Sequence, residues 1–231
     1  MTMTPLVLLP GMMCDARLFG PQIAALSAHR TLVVPSLAGH DSMIALAAEV
    51  LANAPPRFAL LGLSMGGILA MEMLAQAPGR VERLALLDTN PFAETEAVTA
   101  ARAPQIARAR AGDLDGVLAE VIPRYFPPAR PRPDLAALCL EMGRALGLEA
   151  FVRQSHALIG RHGRQEALAA FRGPALVLTG AEDVVCPMDR HERIHALIPH
   201  SRLAIIAGAG HLPTLEEPEA TTAEISQWLS R

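Results

Sequence analysis

Aromatic residues are scarce in this chain. One Trp, one Tyr and six Phe make up 3% of 231 residues, so an interior of this size has to be filled by aliphatic side chains and methionine. Cysteine is equally sparse. Cys14, Cys139 and Cys186 are odd in number and far apart, and without C-x-x-C spacing they supply neither a disulfide framework nor a zinc site. No metal cluster is visible and no cofactor is implied. No stretch approaches the roughly 20 apolar residues that span a bilayer. Met1-Thr2-Met3-Thr4-Pro5 lacks the basic stretch of a signal peptide, and the apolar run that follows is broken by Pro10-Gly11. A reducing cytoplasm is the expected location. Net charge is −3, with nothing that suggests nucleic acid or an anionic membrane surface as partner. No G-x-G-x-x-G or Walker-type loop follows the first apolar run, which excludes the common nucleotide-binding readings.

What is present is a rhythm of short apolar runs and helical patterns in a chain that is 51% hydrophobic, a length and composition suited to one globular domain. Strands are expected over 6–9, 31–34, 58–63, 83–88, 175–179 and 203–207. Helices are expected over 18–28, 42–52 (with Ser42 as N-cap), 65–76, 188–197 and 219–229. The strands are near-continuous runs of Leu, Val, Ile and Ala, the pattern of a parallel sheet covered on both faces. The expected class is therefore α/β, a doubly wound, mostly parallel sheet. From about 91 to 171 the rhythm breaks, no convincing strand is found, and prolines cluster between Pro123 and Pro133. This segment reads as a helical cap inserted into a core of 1–90 and 172–231, at the carboxyl edge of the sheet.

The most specific motif is Gly62-Leu63-Ser64-Met65-Gly66. A G-x-S-x-G between a strand and a helix is a nucleophile elbow: the serine sits on a tight, strained turn with its hydroxyl lifted clear of the sheet. A serine hydroxyl is a weak nucleophile and needs a base. His211, in Gly208-Ala209-Gly210-His211-Leu212-Pro213 at the end of the last strand, is the best-placed one. His29, His156, His162, His191, His195 and His200 fall on helical or loop stretches and read as solvated or half-buried. The base needs an acid. Asp183, just past the strand 175–179, gives the chain order Ser, Asp, His that accompanies this elbow; Glu182 beside it and Asp88 at another strand end compete. The oxyanion needs two backbone N–H donors, expected from Met65 and from Met12 in the loop Pro10-Gly11-Met12-Met13.

Leu8-Leu9-Pro10-Gly11-Met12, Gly62-Leu63-Ser64-Met65-Gly66-Gly67, Gly180-x-x-Asp183 and Gly210-His211 together resemble the α/β-hydrolase superfamily, in particular a small serine esterase or lactonase with a helical cap. The resemblance covers residues 5–91 and 171 to the end. It implies a mostly parallel sheet, a Ser64–His211–Asp183 triad and acyl transfer through an acyl-serine on a small-molecule carboxylic ester or lactone. Many relatives have His-Gly where this chain has Pro10-Gly11. In the loop after the second strand, His40 and Asp41 read as structural.

The cap sets the substrate. Met13, Phe92, Tyr125, Phe126 and Phe151 are the candidate liners, with Met142 and Leu158 beside them. The cap also carries Arg102, Arg108, Arg110, Arg124, Arg130, Arg132, Arg144 and Arg153, most expected as solvated surface charges and one available to a substrate carboxylate. Carbon–carbon hydrolysis, lyase chemistry, thioester cleavage and non-catalytic ligand binding are the competing readings on the same fold. A dehalogenase mechanism is excluded, because it needs a carboxylate where Ser64 stands. Oligomeric state is not legible.

Overall fold

In the computed structural model, which describes residues 3–231, six parallel strands form one sheet in the order β2-β1-β3-β4-β5-β6. In chain order the elements are β1 (Leu6–Leu9), α1 (Gly20–Leu26), β2 (Leu32–Val33), α2 (Met43–Asn53), β3 (Phe58–Leu63), α3 (Met65–Gln76) and β4 (Val81–Leu87). Then come four helices, α4 (Glu96–Arg110), α5 (Leu114–Val121), α6 (Pro133–Ile159) and α7 (Gln165–Ala170). The chain ends with β5 (Ala175–Gly180), α8 (Met188–Leu197), β6 (Arg202–Ile206), α9 (Pro213–Glu216) and α10 (Pro218–Ser230).

The unbroken apolar strands follow from burial on both faces. In β1, Leu6 and Leu8 join one interior cluster while Val7 and Leu9 join the other. In β3, Ala59, Leu61 and Leu63 face the first cluster; Phe58 and Leu60 face the second. One cluster includes α10 through Ile225 and Trp228; the other includes α2 and α3. Burying a Leu or Val side chain contributes about 1.5–3 kcal/mol, so an alternating polar pattern would have forfeited one of the two layers.

The helical insertion lies between β4 and β5, as the sequence indicates. Helix α4 starts on Thr95, whose hydroxyl accepts the Val98 N–H, and α5 on Asp113, which accepts from Gly116. Helix α6 is interrupted at Gly147, where φ is 80°, a backbone conformation that only glycine adopts readily. Local expectations differ in two places. The first helix is shorter than 18–28, because Ala16–Phe19 forms a 3-10 turn capped by Asp15 before α1 begins. Ser42 precedes α2 as expected, but its side chain makes no capping bond. No helix among the described residues is long and apolar enough to cross a membrane. Cys14, Cys139 and Cys186 are free and buried.

Candidate active site

All the sequence-predicted site residues that carry chemistry stand at carboxyl ends of strands: Met12 after β1, Ser64 after β3, Asp183 after β5 and His211 after β6. A parallel sheet aligns those ends along one edge, which is why distant segments converge there.

Ser64 occupies the turn from β3 to α3 with φ 54° and ψ −117°, a region L-residues rarely adopt. The turn is possible because its neighbours lack side chains. A Cβ on Gly62 would lie 2.2 Å from the Gly66 carbonyl oxygen, and one on Gly66 would lie 1.9 Å from the Leu9 oxygen. The Ser64 carbonyl is held from below by the Thr89 hydroxyl at 2.7 Å.

The Ser64 hydroxyl donates to His211 Nε2 at 3.0 Å, and His211 Nδ1–H donates to Asp183 Oδ2 at 2.9 Å. The other Asp183 oxygen accepts the backbone N–H groups of Val185 (2.7 Å) and Cys186 (3.1 Å). Burial alone would raise the Asp183 carboxyl. The His211 charge and hydrogen bond, with those two N–H groups, outweigh it and hold the group below the usual carboxylate range. The competing carboxylates do not reach the imidazole. Glu182 is exposed and pairs with Arg130. Asp88 lies buried beneath, accepting the Gly180 N–H at 2.9 Å. Burial, then the Asp183 charge, push Asp88 well above the usual carboxylate range.

The N–H of Met12 has no partner among the described residues, and that of Met65 opens α3, where the first turn leaves donors free. Gly11 packs against Ser64: a Cβ there would lie 3.5 Å from the serine Cβ. The residues preceding these two N–H groups, Gly11 and Ser64, are thus in contact, and both donors are unengaged among the described residues.

Several positioning groups escaped the sequence reading. Glu216 accepts the N–H groups of Gly210 (2.9 Å) and Leu212 (2.8 Å), clamping the turn around His211. The His211 N–H itself donates to the Tyr125 carbonyl at 2.8 Å. Gln154, buried on α6, accepts the Met13 N–H and donates to the Leu37 carbonyl. The reading of His191 as solvated or half-buried is corrected. It is fully buried and accepts the Thr89 N–H at 3.1 Å, and burial lowers it to about 4. Asp88, a polar residue ending an apolar strand, is the one buried neighbour the sequence reading had named as a candidate. The others are single polar residues in amphipathic stretches, where nothing in sequence separates a buried partner from a solvated one.

The expected liners divide. Tyr125 stacks at a tilt on His211, with ring centroids 5.4 Å apart. Phe92 lies under the Arg190 guanidinium at 5.1 Å. Met13 is buried with φ 55° beside the open turn. Phe126, Met142 and Phe151 are 5%, 0% and 4% exposed and packed into the interior, and Leu158 packs with the α3 cluster, so these four offer little surface to a ligand. His40 is exposed near Glu49, at 3.7 Å, and contributes nothing to the site.

Asp183, Cys186 and His211 bring one potential metal-ligating atom each within 4.8 Å of one another. The chemistry of the set fits a metal poorly. Burial pushes the Cys186 thiol up, away from the thiolate a metal needs, and the Asp183–His211 hydrogen bond already engages the other two.

A family model described as the alpha/beta hydrolase family matches residues 6–225. The chain belongs to that family. It is a hydrolase, and relatives of similar length are esterases. It is 25% identical over 236 residues to a pimeloyl-[acyl-carrier protein] methyl ester esterase of Pectobacterium carotovorum, a match covering 96% of this chain and 92% of that one. It is 33% identical over 170 residues to polyketide synthase ThaQ of Burkholderia thailandensis, covering 70% of this chain but only 8% of that longer protein. Among solved structures, a thermophilic esterase from Thermogutta terrifontis, described as malate-bound, superposes with a TM-score of 0.90 at 27% identity, covering 99% of this chain and 90% of that one. An enol-lactonase from Burkholderia xenovorans shares the fold, with a TM-score of 0.85 at 22% identity, covering 99% and 92%.

Proposed function

We propose that this hydrolase cleaves the carboxylic ester or lactone of a small to medium substrate through an acyl-serine, with Ser64 as nucleophile, His211 as base and Asp183 as the acid that orients it. The observation that carries the reading is the unbroken relay from Ser64 to His211 to Asp183, at 3.0 and 2.9 Å. The Ser64 proton passes to His211 Nε2 as Oγ attacks the carbonyl carbon. Met12 and Met65 N–H groups bind the oxyanion. His211 then gives its proton to the leaving alcohol, and the acyl group stays on Ser64. Water, losing a proton to His211, attacks that ester and releases the acid and free serine. Asp183 keeps Nδ1–H oriented throughout and stabilises imidazolium. Losing one oxyanion donor typically costs about 3–4 kcal/mol of barrier. Helices between 91 and 171 act as the cap that shapes the substrate site.

The names of the esterase relatives support ester over carbon–carbon cleavage, and the methyl ester esterase is named for a substrate carried on an acyl-carrier protein, which keeps thioesters as the second reading. The test is initial rates on p-nitrophenyl acetate, butyrate, octanoate and laurate and on acyl-thioesters of the same lengths, with Ser64→Ala alongside. Ester turnover lost in the variant supports the reading. A folded wild-type protein inert on every ester ends it, and turnover confined to thioesters selects the second.

A further inference from the structure

Among the ten arginines between 91 and 171, Arg102 on α4 stands apart. Arg108, Arg130, Arg132 and Arg144 each have an exposed carboxylate partner close by. Arg102 is largely buried, with its side chain 18% exposed. Its oxygen acceptor is Glu94, and that contact is long, 3.4 Å, because Arg161 holds the same Glu94 oxygen at 2.8 Å. Both Arg161 and Glu94 side chains are 5% exposed. Two guanidinium groups therefore share one carboxylate, which leaves one positive charge in excess in a mostly buried place. The remaining Arg102 donors are poorly served. NH1 meets only the sulfur of Met12, at 3.7 Å, and Nε is buried with no partner.

Met12 is the second observation. Its backbone N–H is one of the two proposed oxyanion donors, and its side chain is what the guanidinium touches. A thioether is a weak acceptor on a flexible stem, readily displaced by a stronger one. An arginine keeps its charge in any setting, and a guanidinium lacking oxygen acceptors gains most from a carboxylate, which offers two.

Resting on the ester-hydrolase reading, we propose that Arg102 binds a free carboxylate in the acyl chain of the substrate, so that the enzyme prefers half-esters of short dicarboxylic acids to neutral esters of equal length. The carboxylate displaces the Met12 sulfur and balances the excess charge of the Arg102–Glu94–Arg161 cluster.

The test compares monomethyl glutarate with methyl valerate, which match in length and differ by the terminal carboxylate. In the wild type, kcat/KM favours the half-ester. In Arg102→Gln that ratio falls by about 10- to 100-fold, the usual worth of a charged hydrogen bond, with the change carried by KM. Arg102→Lys retains part of the preference, since it keeps the charge without the fork, and it serves where the glutamine variant does not fold. Glutarate binding to Ser64→Ala, read by calorimetry with Arg102 present and replaced, tests the contact without turnover. A ratio that does not fall with either Arg102 variant, or glutarate binding that ignores Arg102, overturns the proposal while leaving the hydrolase reading standing. Failure of the wild type on neutral and acidic esters alike, with glutarate still binding through Arg102, removes the ester reading instead.

Discussion

Gln154 Oε1 accepts the backbone N–H of Met13 at 2.8 Å, across 141 residues. The same amide donates to the Leu37 carbonyl at 3.1 Å. One buried side chain on α6 thus fixes the loop after β1 and the loop after β2 to the helical insertion. Since Met12 precedes Met13, the position of the Met12 N–H, the proposed oxyanion donor, depends on this contact.

Replacing Gln154 by Leu removes both bonds at nearly constant volume. Two buried backbone groups lose their partners, at about 1–3 kcal/mol each. The expected result is a lower melting temperature and a kcat reduced by roughly 100-fold, as for a displaced oxyanion donor, with KM changed less. Steady-state kinetics on the best p-nitrophenyl ester reads it. A variant that loses stability but keeps kcat shows that Gln154 only braces the cap.

Ser64 sits in strained backbone. At φ 54° and ψ −117° a side chain costs about 1–3 kcal/mol, which glycine avoids. Ser64→Gly is therefore expected to be inactive yet more stable than the wild type, and more stable than the equally inactive Ser64→Ala. Chemical denaturation of the three proteins checks the order. A glycine variant no more stable than the alanine variant denies the strain.

His191 gives the fold an acid sensitivity. Burial lowers its imidazole from 6.5 to about 4, so between those values the unfolded chain binds the proton and the folded one does not. The stability tied to His191 is complete above the unfolded value of 6.5 and is lost as pH falls towards about 4. The full excursion is worth about 3 kcal/mol at 1.36 kcal/mol for each pH unit. In His191→Gln an amide oxygen accepts the Thr89 N–H without titrating. The difference in unfolding free energy between the two proteins is expected to shift in favour of the variant as pH falls through that window. Parallel curves show that His191 titrates as freely folded as unfolded.

Much of the site was legible because each piece has a local signature. Gly62, Ser64 and Gly66 encode a turn that no bulkier trio can make. His211 and Asp183 are marked by glycine-flanked ends of apolar strands, and those ends share one edge in any parallel sheet. Gln154, Glu216 and His191 were not legible. Each acts on a segment distant in sequence or on backbone it reaches only after folding, and a Gln, Glu or His in an amphipathic helix reads the same whether its neighbour is water or a buried N–H. Two of the expected liners were misjudged in exposure for a related reason. Phe126 and Phe151 are apolar, and an apolar side chain in a cap serves equally as pocket wall or as packing until the helices are placed.

The sequence by itself determined the doubly wound parallel sheet, the turn at Ser64 and the strand ends at which Ser64, Asp183 and His211 stand, because hydrophobic periodicity, glycine placement and strand ends act over a few residues. Only the tertiary structure decided that Asp183 rather than Asp88 or Glu182 meets His211 at 2.9 Å. It alone decided that Arg102, among ten cap arginines, is largely buried against Met12 with its Nε unpartnered. Both are questions of which carboxylate or cation is desolvated beside which partner, and desolvation is a property of the packed neighbourhood.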